Sequence, residues 1–357
     1  MSDVLKEIGF AFNPFEYLDS ERDKRLYQYL VIPKTVESVL LDQPVAVLAQ
    51  PGGGKSALRL YTWRFYRGSR GVKFPIAYVP ETYAPKADFH FEQLSRALAR
   101  EAFLYLTSYP DLFSGLPLNV RSKLKHLFSF YLPIELDYLL SKLQEGWSLL
   151  DYERLLDTDG FLDILTVQPA HHRLAEALKR TPSADSFYIE EGWDLLKEAF
   201  AAKSIHILID GLDGFVETRP AHALMAWITP LLDKLEEWAR KDIYLKFFIP
   251  VKQKEGGYPM LKGLQVAELG WDDHLLAEVV RRRVYVASRG AFDSLDAISE
   301  LNLRSVELKL AASLPPNQKL PRQIIKKVRE ILINMVQDRR SYIKAADLFA
   351  VQELRYA

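Results

Sequence analysis

Hydrophobic residues fall into two kinds of pattern that alternate along this chain. Short, nearly continuous apolar runs occupy residues 45–48, 75–80, 204–210, 245–250 and 264–269. Between several of these runs, apolar residues recur at intervals of three or four, as they do on one face of a helix. Short buried strands that alternate with helices are typical of a parallel sheet with both faces covered. The pattern therefore predicts an α/β fold.

Two regions are helical in pattern throughout. Between residues 88 and 200, proline and glycine separate several amphipathic segments, which predicts a large helical insertion. Its many aromatic residues are most simply core, and the alternative is a groove for a hydrophobic ligand or a partner. From Trp271 onward the pattern predicts further helices, one of them opened by Pro321. Within the insertion, short helices are predicted at 119–130, 134–143, 147–156 and 170–179, and outside it helices are predicted at 57–66 and 221–240.

These patterns divide the chain into three parts. Residues 1–40 form an N-terminal segment with a turn signal at residues 13–15, Asn-Pro-Phe. Residues 41–270 form the α/β core, which contains the helical insertion 88–200. Residues 271–357 form a helical lid or C-terminal domain.

The turn after the first strand carries the strongest chemical signal. Residues 49–56 read Ala-Gln-Pro-Gly-Gly-Gly-Lys-Ser, between an apolar strand and a segment without glycine or proline. Strand, glycine-rich turn ending in Gly-Lys-Ser, then helix is the context of a phosphate-binding loop. Glycine lets the backbone wrap an anion, and the start of the helix attracts negative charge. We predict that a nucleotide is bound by Gly52, Gly53, Gly54, Lys55, Ser56 and Ala57.

Two side chains of this loop have predicted roles of their own. Lys55 would reach the β- and γ-phosphates, and Ser56 would place its hydroxyl on Mg²⁺. Ala49 stands where the full pattern has glycine, so the match is imperfect. The alternative interpretation is a glycine-rich connection between strand and helix with a chance Lys-Ser pair.

A Mg²⁺-nucleotide site also needs an acidic residue at the tip of a neighbouring apolar strand. Asp210 ends the apolar run 204–210 and is the metal-binding candidate, with Ser56 as the second ligand. Asp213 would either contact the direct ligands of the metal or act on the attacking water. The alternative for both aspartates is a purely structural place in a cap or a turn.

Other polar residues along the chain give weaker signals. Arg322, next to Pro321, is the candidate for a γ-phosphate contact, and its alternative is a surface arginine at a helix start. The arginines at 281–283 favour a solvated face over a nucleic-acid stripe, although one of them could point at a γ-phosphate. His206 is interpreted as a core histidine. His171 and His172 are rejected as metal ligands, because adjacent side chains do not share a helix face.

Composition excludes several classes of protein. The chain has 357 residues, of which 48% are hydrophobic and 26% are charged, as in ordinary globular proteins. The 47 basic and 47 acidic residues cancel, so nothing global argues for nucleic acid or a membrane surface. The absence of cysteine excludes disulfides and thiolate chemistry and fits a reducing cytosol. With no apolar signal core and no membrane-length apolar run, we expect a cytoplasmic protein without a membrane partner.

The order of these motifs resembles that of a bacterial member of the additional-strand P-loop NTPases, within the AAA+/STAND group of signal-transduction ATPases and the predicted ATPases allied to them. The matching stretches are AQPGGGKSALR, LIDGLDGF, LKFFIPVK, ELGWDDHLLAEVVRRRV and LPRQIIKKV, and the resemblance covers roughly residues 10–60 and 200–340. It implies a three-layer α/β/α core with about five strands, in which the acidic-tip strand lies two places from the phosphate-loop strand. It also implies a helical lid whose arginine, like Arg322, reads the γ-phosphate, and an N-terminal segment that flanks the adenine.

Two departures from the family pattern concern hydrolysis. Gly214 stands where the family often has an acidic residue after the aspartate turn. The polar residue expected after the strand 245–250 has only Lys252 or Gln253 as candidates. We therefore expect binding of nucleotide to be better preserved than its hydrolysis.

The resulting prediction is an ATP-binding protein, a Mg²⁺-dependent ATPase that acts as a conformational switch in signalling or assembly. Its predicted catalytic residues are Lys55, Asp210, Asp213 and Arg322. The alternatives are a nucleic-acid motor or loader of the AAA+ type, and a scaffold that binds nucleotide without hydrolysis. A protein partner would bind through the insertion 88–200, and the family allows a nucleotide-dependent oligomer. GTP is disfavoured because we find no guanine-specificity motif.

Overall fold

A computed structural model of the chain shows an α/β protein. It describes residues 2–69, 71–80, 83, 86–132, 134–145, 169–184, 189–218, 221–251, 261 and 263–348. Within those residues, one parallel sheet lies at the centre of the fold. Its five strands are β1 (Val45–Ala49), β2 (Lys73–Tyr78), β3 (Ser204–Ile209), β4 (Ile243–Pro250) and β5 (Gln265–Glu268).

The spatial order of the strands is β2-β3-β4-β1-β5. In register, Val47 of β1 lies opposite Phe248 of β4, and Ile207 of β3 lies opposite Leu245 of β4. β3 is therefore two places from β1, with β4 between them, which is the arrangement that the resemblance implies. Because all pairs are parallel, the carboxyl ends of the strands lie at one edge of the sheet.

Both faces of the sheet are buried, because successive side chains of a strand point to opposite faces. Ile205, Ile207 and Ile209 of β3 belong to one hydrophobic cluster, whereas Leu208 belongs to a second cluster. The other inner strands alternate in the same way between the two clusters. The apolar runs in the sequence are continuous for this reason, and the prediction of a sheet covered on both faces is confirmed.

β2 begins and ends two residues earlier than predicted. The flanking prolines suggested a strand over 75–80, but β2 spans Lys73–Tyr78 and contains Pro75. β2 is an edge strand, bonded on one side to β3 only. An edge strand tolerates proline because the missing N–H falls on the side without a partner strand.

The helices surround this sheet. Before β3, the described α-helices are α1 (Ser2–Glu7), α2 (Leu26–Tyr29), α3 (Lys55–Arg67), α4 (Ala87–Ser108), α5 (Leu112–Gly115), α6 (Leu118–Tyr131), α7 (Leu136–Glu145), α8 (Pro169–Arg180) and α9 (Ile189–Phe200). After β3 they are α10 (Asp213–Thr218), α11 (Ala221–Leu232), α12 (Leu235–Ala239), α13 (Asp273–Ala287), α14 (Val306–Ala312) and α15 (Pro321–Gln337). The predicted helix at 147–156 falls outside the described residues.

The single helix predicted over 221–240 is two helices, α11 and α12. Pro230 lies in the last turn of α11, where it cannot donate an N–H to the preceding turn. The chain leaves the helix three residues later, in a turn at Asp233 and Lys234, before α12 begins.

The helical insertion shares its core with the sheet. Its aromatic residues Phe103, Phe113 and Phe128 are fully buried, and they belong to the same hydrophobic cluster as Phe74 of β2 and Ile205 of β3. These three aromatic residues of the insertion are therefore core. Phe130, in contrast, is 69% exposed.

The C-terminal helices have a core of their own, which they share with the start of the chain. Leu5, Phe10 and Phe15 are buried in one cluster with residues of α13, α14 and α15, such as Val280 and Ile331. Residues near the two ends of the described chain therefore pack together, beside the glycine-rich turn that follows β1.

Candidate functional site

A pocket opens beside the turn that joins β1 to α3. It encloses about 860 Å³, part of which is open to solvent. Its walls come from the N-terminal segment between Tyr17 and Pro33, from the glycine turn and the start of α3, from α10, and from the C-terminal helices. The predicted site residues that line it are Gly52, Gly54, Lys55, Ser56, Ala57, Asp213 and Arg322. The two others, Gly53 and Asp210, are buried.

The glycine turn, residues 50–54, needs glycine for two reasons: a Cβ on Gly53 would lie 2.8 Å from the backbone oxygen of Gln50, and two other positions have left-handed backbone. Gly52 and Gly54 have φ angles of +79° and +93°, in the left-handed region that glycine adopts without strain. A Cβ on Gly52 would also lie 3.0 Å from the Cβ of Arg322. Gly54 is the N-cap of α3 and has no side chain to cap the helix, so the first N–H groups of α3 are available to an anion.

Lys55 is buried at the centre of this turn. Its ammonium group donates to the carbonyl oxygens of Ala49, at 3.3 Å, and Gln50, at 3.2 Å. It also forms an ion pair of 2.9 Å with Oδ1 of Asp213, whose side chain is about one-third exposed. The structure thus brings the two predicted residues together, with the lysine inside the loop and the aspartate at the pocket wall.

Asp210 follows β3 directly and is almost fully buried. Its Oδ2 accepts a hydrogen bond of 3.1 Å from Nε of Arg59, on α3. Its Oδ1 has no hydrogen-bond partner among the described residues, although that oxygen is buried. A buried carboxylate oxygen without a partner is costly unless a water or an ion satisfies it.

Arg59 is a site residue that the sequence interpretation missed. It lies four residues after Lys55, on the same helix face, and its guanidinium also lies 3.3 Å from Oε1 of Glu21. The sequence did contain a signal for Arg59. It is a charged residue in a helix with apolar residues on nearly every side, and such a charge is usually paired when buried.

The N-terminal segment contributes a run of alternating acidic residues to the site. We call residues 19–23, Asp-Ser-Glu-Arg-Asp, the acidic segment. Each of its three acidic side chains pairs with an arginine from a different helix, α15, α3 or α13. The pairs are Asp19–Arg322 at 3.1 Å, Glu21–Arg59 at 3.3 Å and Asp23–Arg283 at 3.3 Å.

Arg283 corrects the interpretation of residues 281–283 as a solvated face. Arg281 and Arg282 are exposed as expected, but Arg283 is buried. It donates to the carbonyl oxygen of Pro14 at 2.7 Å, and its guanidinium lies 4.3 Å from the ring centre of Tyr29. Burial raises the pKa of the Tyr29 hydroxyl, which donates to Asp23.

The start of α15 contacts the glycine turn directly. The backbone N–H of Arg322 donates to the carbonyl oxygen of Gly52 at 3.3 Å, and Nε1 of Trp271 donates to that of Gly53 at 2.8 Å. Arg322 therefore lies at the pocket, as predicted, but its guanidinium pairs with Asp19. Both side chains of this pair are about half exposed.

His206 is a core histidine, as expected. His206 is buried and stacks on Tyr66, with ring centres 4.1 Å apart, and its Nε2 lies 3.0 Å from Oγ of Ser204. Burial, together with the nearby Lys246, lowers the pKa of His206 to about 2. His171 is buried, whereas His172 is exposed, so the two rings point in different directions.

The residues present fit a Mg²⁺-polyphosphate. Carboxylate and hydroxyl oxygens are ligands that Mg²⁺ prefers. Oδ1 of Asp210 is an acceptor without a partner among the described residues, and Ser56 is the first residue after Lys55 on α3 and lines the pocket. Gly214, which stands where the family often has an acidic residue, is exposed. Lys252 and Gln253 lie outside the described residues.

Comparison with known proteins adds no assignment. A scan against protein-family models finds no match, and a search of curated proteins finds no significant match either. Among the described helices, none combines the length and the apolar character needed to span a bilayer.

Proposed function

We propose that this protein binds ATP with Mg²⁺ in the pocket beside the glycine turn and uses the nucleotide as a conformational switch, with slow hydrolysis. One observation carries the proposal: a glycine turn with a buried lysine and a buried aspartate at the tip of β3 lie at the same edge of a parallel sheet. The order of the strands and the resemblance to P-loop NTPases of the AAA+/STAND group support it.

The phosphates would be held by the backbone of the glycine turn and by Lys55. Phosphate oxygens would replace Asp213 as the main partner of the Lys55 ammonium group, which would stabilise negative charge on the β/γ-bridge and γ-phosphoryl oxygens. Ser56 and Oδ1 of Asp210 would hold Mg²⁺, which supplies further neutralisation of the phosphate charge when bound. Ala57 would add a backbone N–H at the start of α3.

Hydrolysis would be slow because the group that would orient the attacking water is already paired with another residue. Asp213 is the residue placed to orient a water, but its side chain is engaged by Lys55. Gly214 stands where the family often has an acidic residue, so it supplies no second carboxylate beside Asp213. The same site can therefore bind ATP for a long time before the phosphoryl group is transferred to water.

The switch would act through the C-terminal helices as a lid. Arg322 and Trp271 already hold the glycine turn through its carbonyl oxygens. A γ-phosphate would offer the Arg322 guanidinium a stronger partner than the half-exposed Asp19, and its loss would return the arginine to Asp19. The position of the lid would therefore depend on whether the γ-phosphate is present.

Titration with a fluorescent ATP analogue tests the proposal. We expect binding tighter than about millimolar in the presence of Mg²⁺, and a loss of at least about tenfold on Lys55→Ala. Lys326→Ala is the matched control, since Lys326 is exposed on α15 and pairs only loosely with Glu330, at 3.9 Å. The proposal fails if the wild type binds no more tightly than Lys55→Ala.

A further inference from the structure

Arg59 and Asp210 form the most deeply buried ion pair of the site. Each side chain is 1% exposed, and Nε of Arg59 lies 3.1 Å from Oδ2 of Asp210. Such a pair needs further hydrogen bonds to offset the cost of removing two charges from water. Arg59 has one in Glu21, whereas Oδ1 of Asp210 has no partner among the described residues.

The pair changes what Asp210 can offer to a cation. A free carboxylate presents a full negative charge and two oxygens, and it attracts a divalent ion strongly. Here the guanidinium cancels most of that charge and occupies Oδ2. Only Oδ1 remains, and the positive charge beside it opposes a second cation.

Arg59 is also fixed from its other side. Glu21 belongs to the acidic segment, next to Asp19 and Ser20, which line the pocket. The guanidinium therefore spans from the tip of β3 to the N-terminal wall of the pocket. Its position follows from two carboxylates on separate parts of the chain, so it does not swing away from Asp210 freely.

We propose that Arg59 is a positioning residue that weakens the dependence of nucleotide binding on Mg²⁺, by holding Oδ2 of Asp210 and neutralising its charge. The inference rests on the proposed function. Nucleotide affinity then comes mainly from the glycine turn and Lys55, and the metal adds little. Removing the guanidinium frees both oxygens of Asp210 and makes binding strongly Mg²⁺-dependent.

The test compares the Kd of the fluorescent ATP analogue in EDTA with its Kd in excess Mg²⁺. We expect the ratio of the two to be below about tenfold in the wild type and about tenfold higher in Arg59→Gln. Arg59→Lys keeps the charge but lacks Nε, so its ratio should fall between the two. Binding of Mn²⁺, followed by electron paramagnetic resonance in the presence of the nucleotide, should tighten in the same order.

The outcomes separate this inference from the proposed function. If the wild type fails to bind the analogue better than Lys55→Ala, the proposed function fails and the inference falls with it. If the wild type binds through Lys55 but the Mg²⁺ ratio is the same in all Arg59 variants, only the inference is wrong and Arg59 merely fastens α3 to β3. If Arg59→Gln does not fold, a ratio in Arg59→Lys no higher than in the wild type overturns the inference.

Discussion

Lys55 already has a negative partner, because Oδ1 of Asp213 lies 2.9 Å from its ammonium group. A phosphate that uses Lys55 has to displace this aspartate or share the lysine with it. About one-third of the Asp213 side chain is exposed, although the Oδ1 atom that faces Lys55 is buried. Under the proposed function, this ion pair would lower nucleotide affinity by competition.

Asp213→Asn removes this competing charge and keeps the shape of the side chain. We expect the ATP analogue to bind about three- to tenfold more tightly, while any hydrolysis slows, because Asp213 is also proposed to orient water. Titration and a phosphate-release assay measure the two effects. Asp194→Asn, at an exposed position on α9, should change neither. Weaker binding by Asp213→Asn would contradict the competition.

His206 makes the fold sensitive to acid. Its pKa is lowered from 6.5 to about 2, so the folded protein keeps the ring neutral while the unfolded chain takes up a proton below pH 6.5. Unfolding is therefore favoured as the pH falls from 6.5 towards 2, by about 1.4 kcal/mol per pH unit from this group. In His206→Phe, which keeps an aromatic ring beside Tyr66, the free energy of unfolding should fall less steeply between pH 7 and 5. Parallel curves for the two proteins would show that His206 does not titrate as described.

The sequence was sufficient to indicate residues that belong to a local motif. Lys55 and Asp210 each end or begin an element with a recognisable pattern, and the fold brings both to one edge of the sheet. Arg59 could not be found in this way, because its partners are Glu21 and Asp210, far from it along the chain. The burial of Arg283 could not be predicted either, because its partners Pro14 and Asp23 are distant in the sequence and its neighbours Arg281 and Arg282 are exposed.

At the level of elements, α3 contributes to the candidate site and contacts the helical insertion. Its first residue is Lys55, and Nε1 of Trp63, two turns later, lies 3.0 Å from each carboxylate oxygen of Glu101 on α4. Glu101 also accepts from the backbone of Ala77 on β2, and burial raises its pKa. A guanidinium of α3, that of Arg67, lies 3.6 Å from the same carboxylate. A movement of α3 would therefore be transmitted to α4.

Glu101→Ala tests how firmly α3 and α4 are joined. The change leaves Nε1 of Trp63 without its acceptor and Arg67 with less compensation, so we expect a loss of about 3 kcal/mol in the free energy of unfolding. Urea denaturation measures it. Glu92→Ala is the control on the same helix, because Glu92 makes an exposed pair with Arg96 and should cost less than about 0.5 kcal/mol. Equal losses in both variants would show that Glu101 is not a structural link.

Elements were predicted best where burial alone determines the pattern. The apolar runs of β1, β3 and β4 and the helices α6 and α8 lie within a few residues of their predicted positions. The errors concern proline. Pro75 has the appearance of a strand boundary in the sequence, but an edge strand accepts it. The apolar pattern continues past Pro230, but the helix ends soon after it. Whether a strand tolerates proline depends on its position in the sheet, and that position depends on pairing with distant residues.

At the level of the whole molecule, Arg283 connects the start of the chain to the C-terminal helices. It lies on α13 and bonds to the Pro14 carbonyl, to Asp23 and to the face of the Tyr29 ring. These contacts hold the N-terminal wall of the pocket. Pocket shape is therefore a property of the assembled chain, whereas the glycine turn is a local structure.

Arg283→Ala should loosen this wall while the sheet remains folded. We expect trypsin to cut after Arg22, Lys24 or Arg25 at least about tenfold faster, because these bonds lie in a segment that has lost its anchor. Mass spectrometry of timed digests locates the cuts. Arg281→Ala, which removes an exposed arginine two residues before Arg283, should leave the rate unchanged. Faster cutting throughout the sheet would instead indicate general unfolding.

The shared core of the two chain regions has a consequence for the timing of synthesis. Phe10 and Phe15 are buried against α13 to α15, so their packing partners are made more than 250 residues after them. At about 5–20 residues per second, the ribosome takes roughly 15 to 60 s to reach the end of α15. The sheet is complete once β5 has emerged, with the glycine turn already formed. Phe10 and Phe15 gain these packing partners only afterwards, so a nascent chain acquires the glycine turn early and the complete pocket, which Arg322 also lines, late.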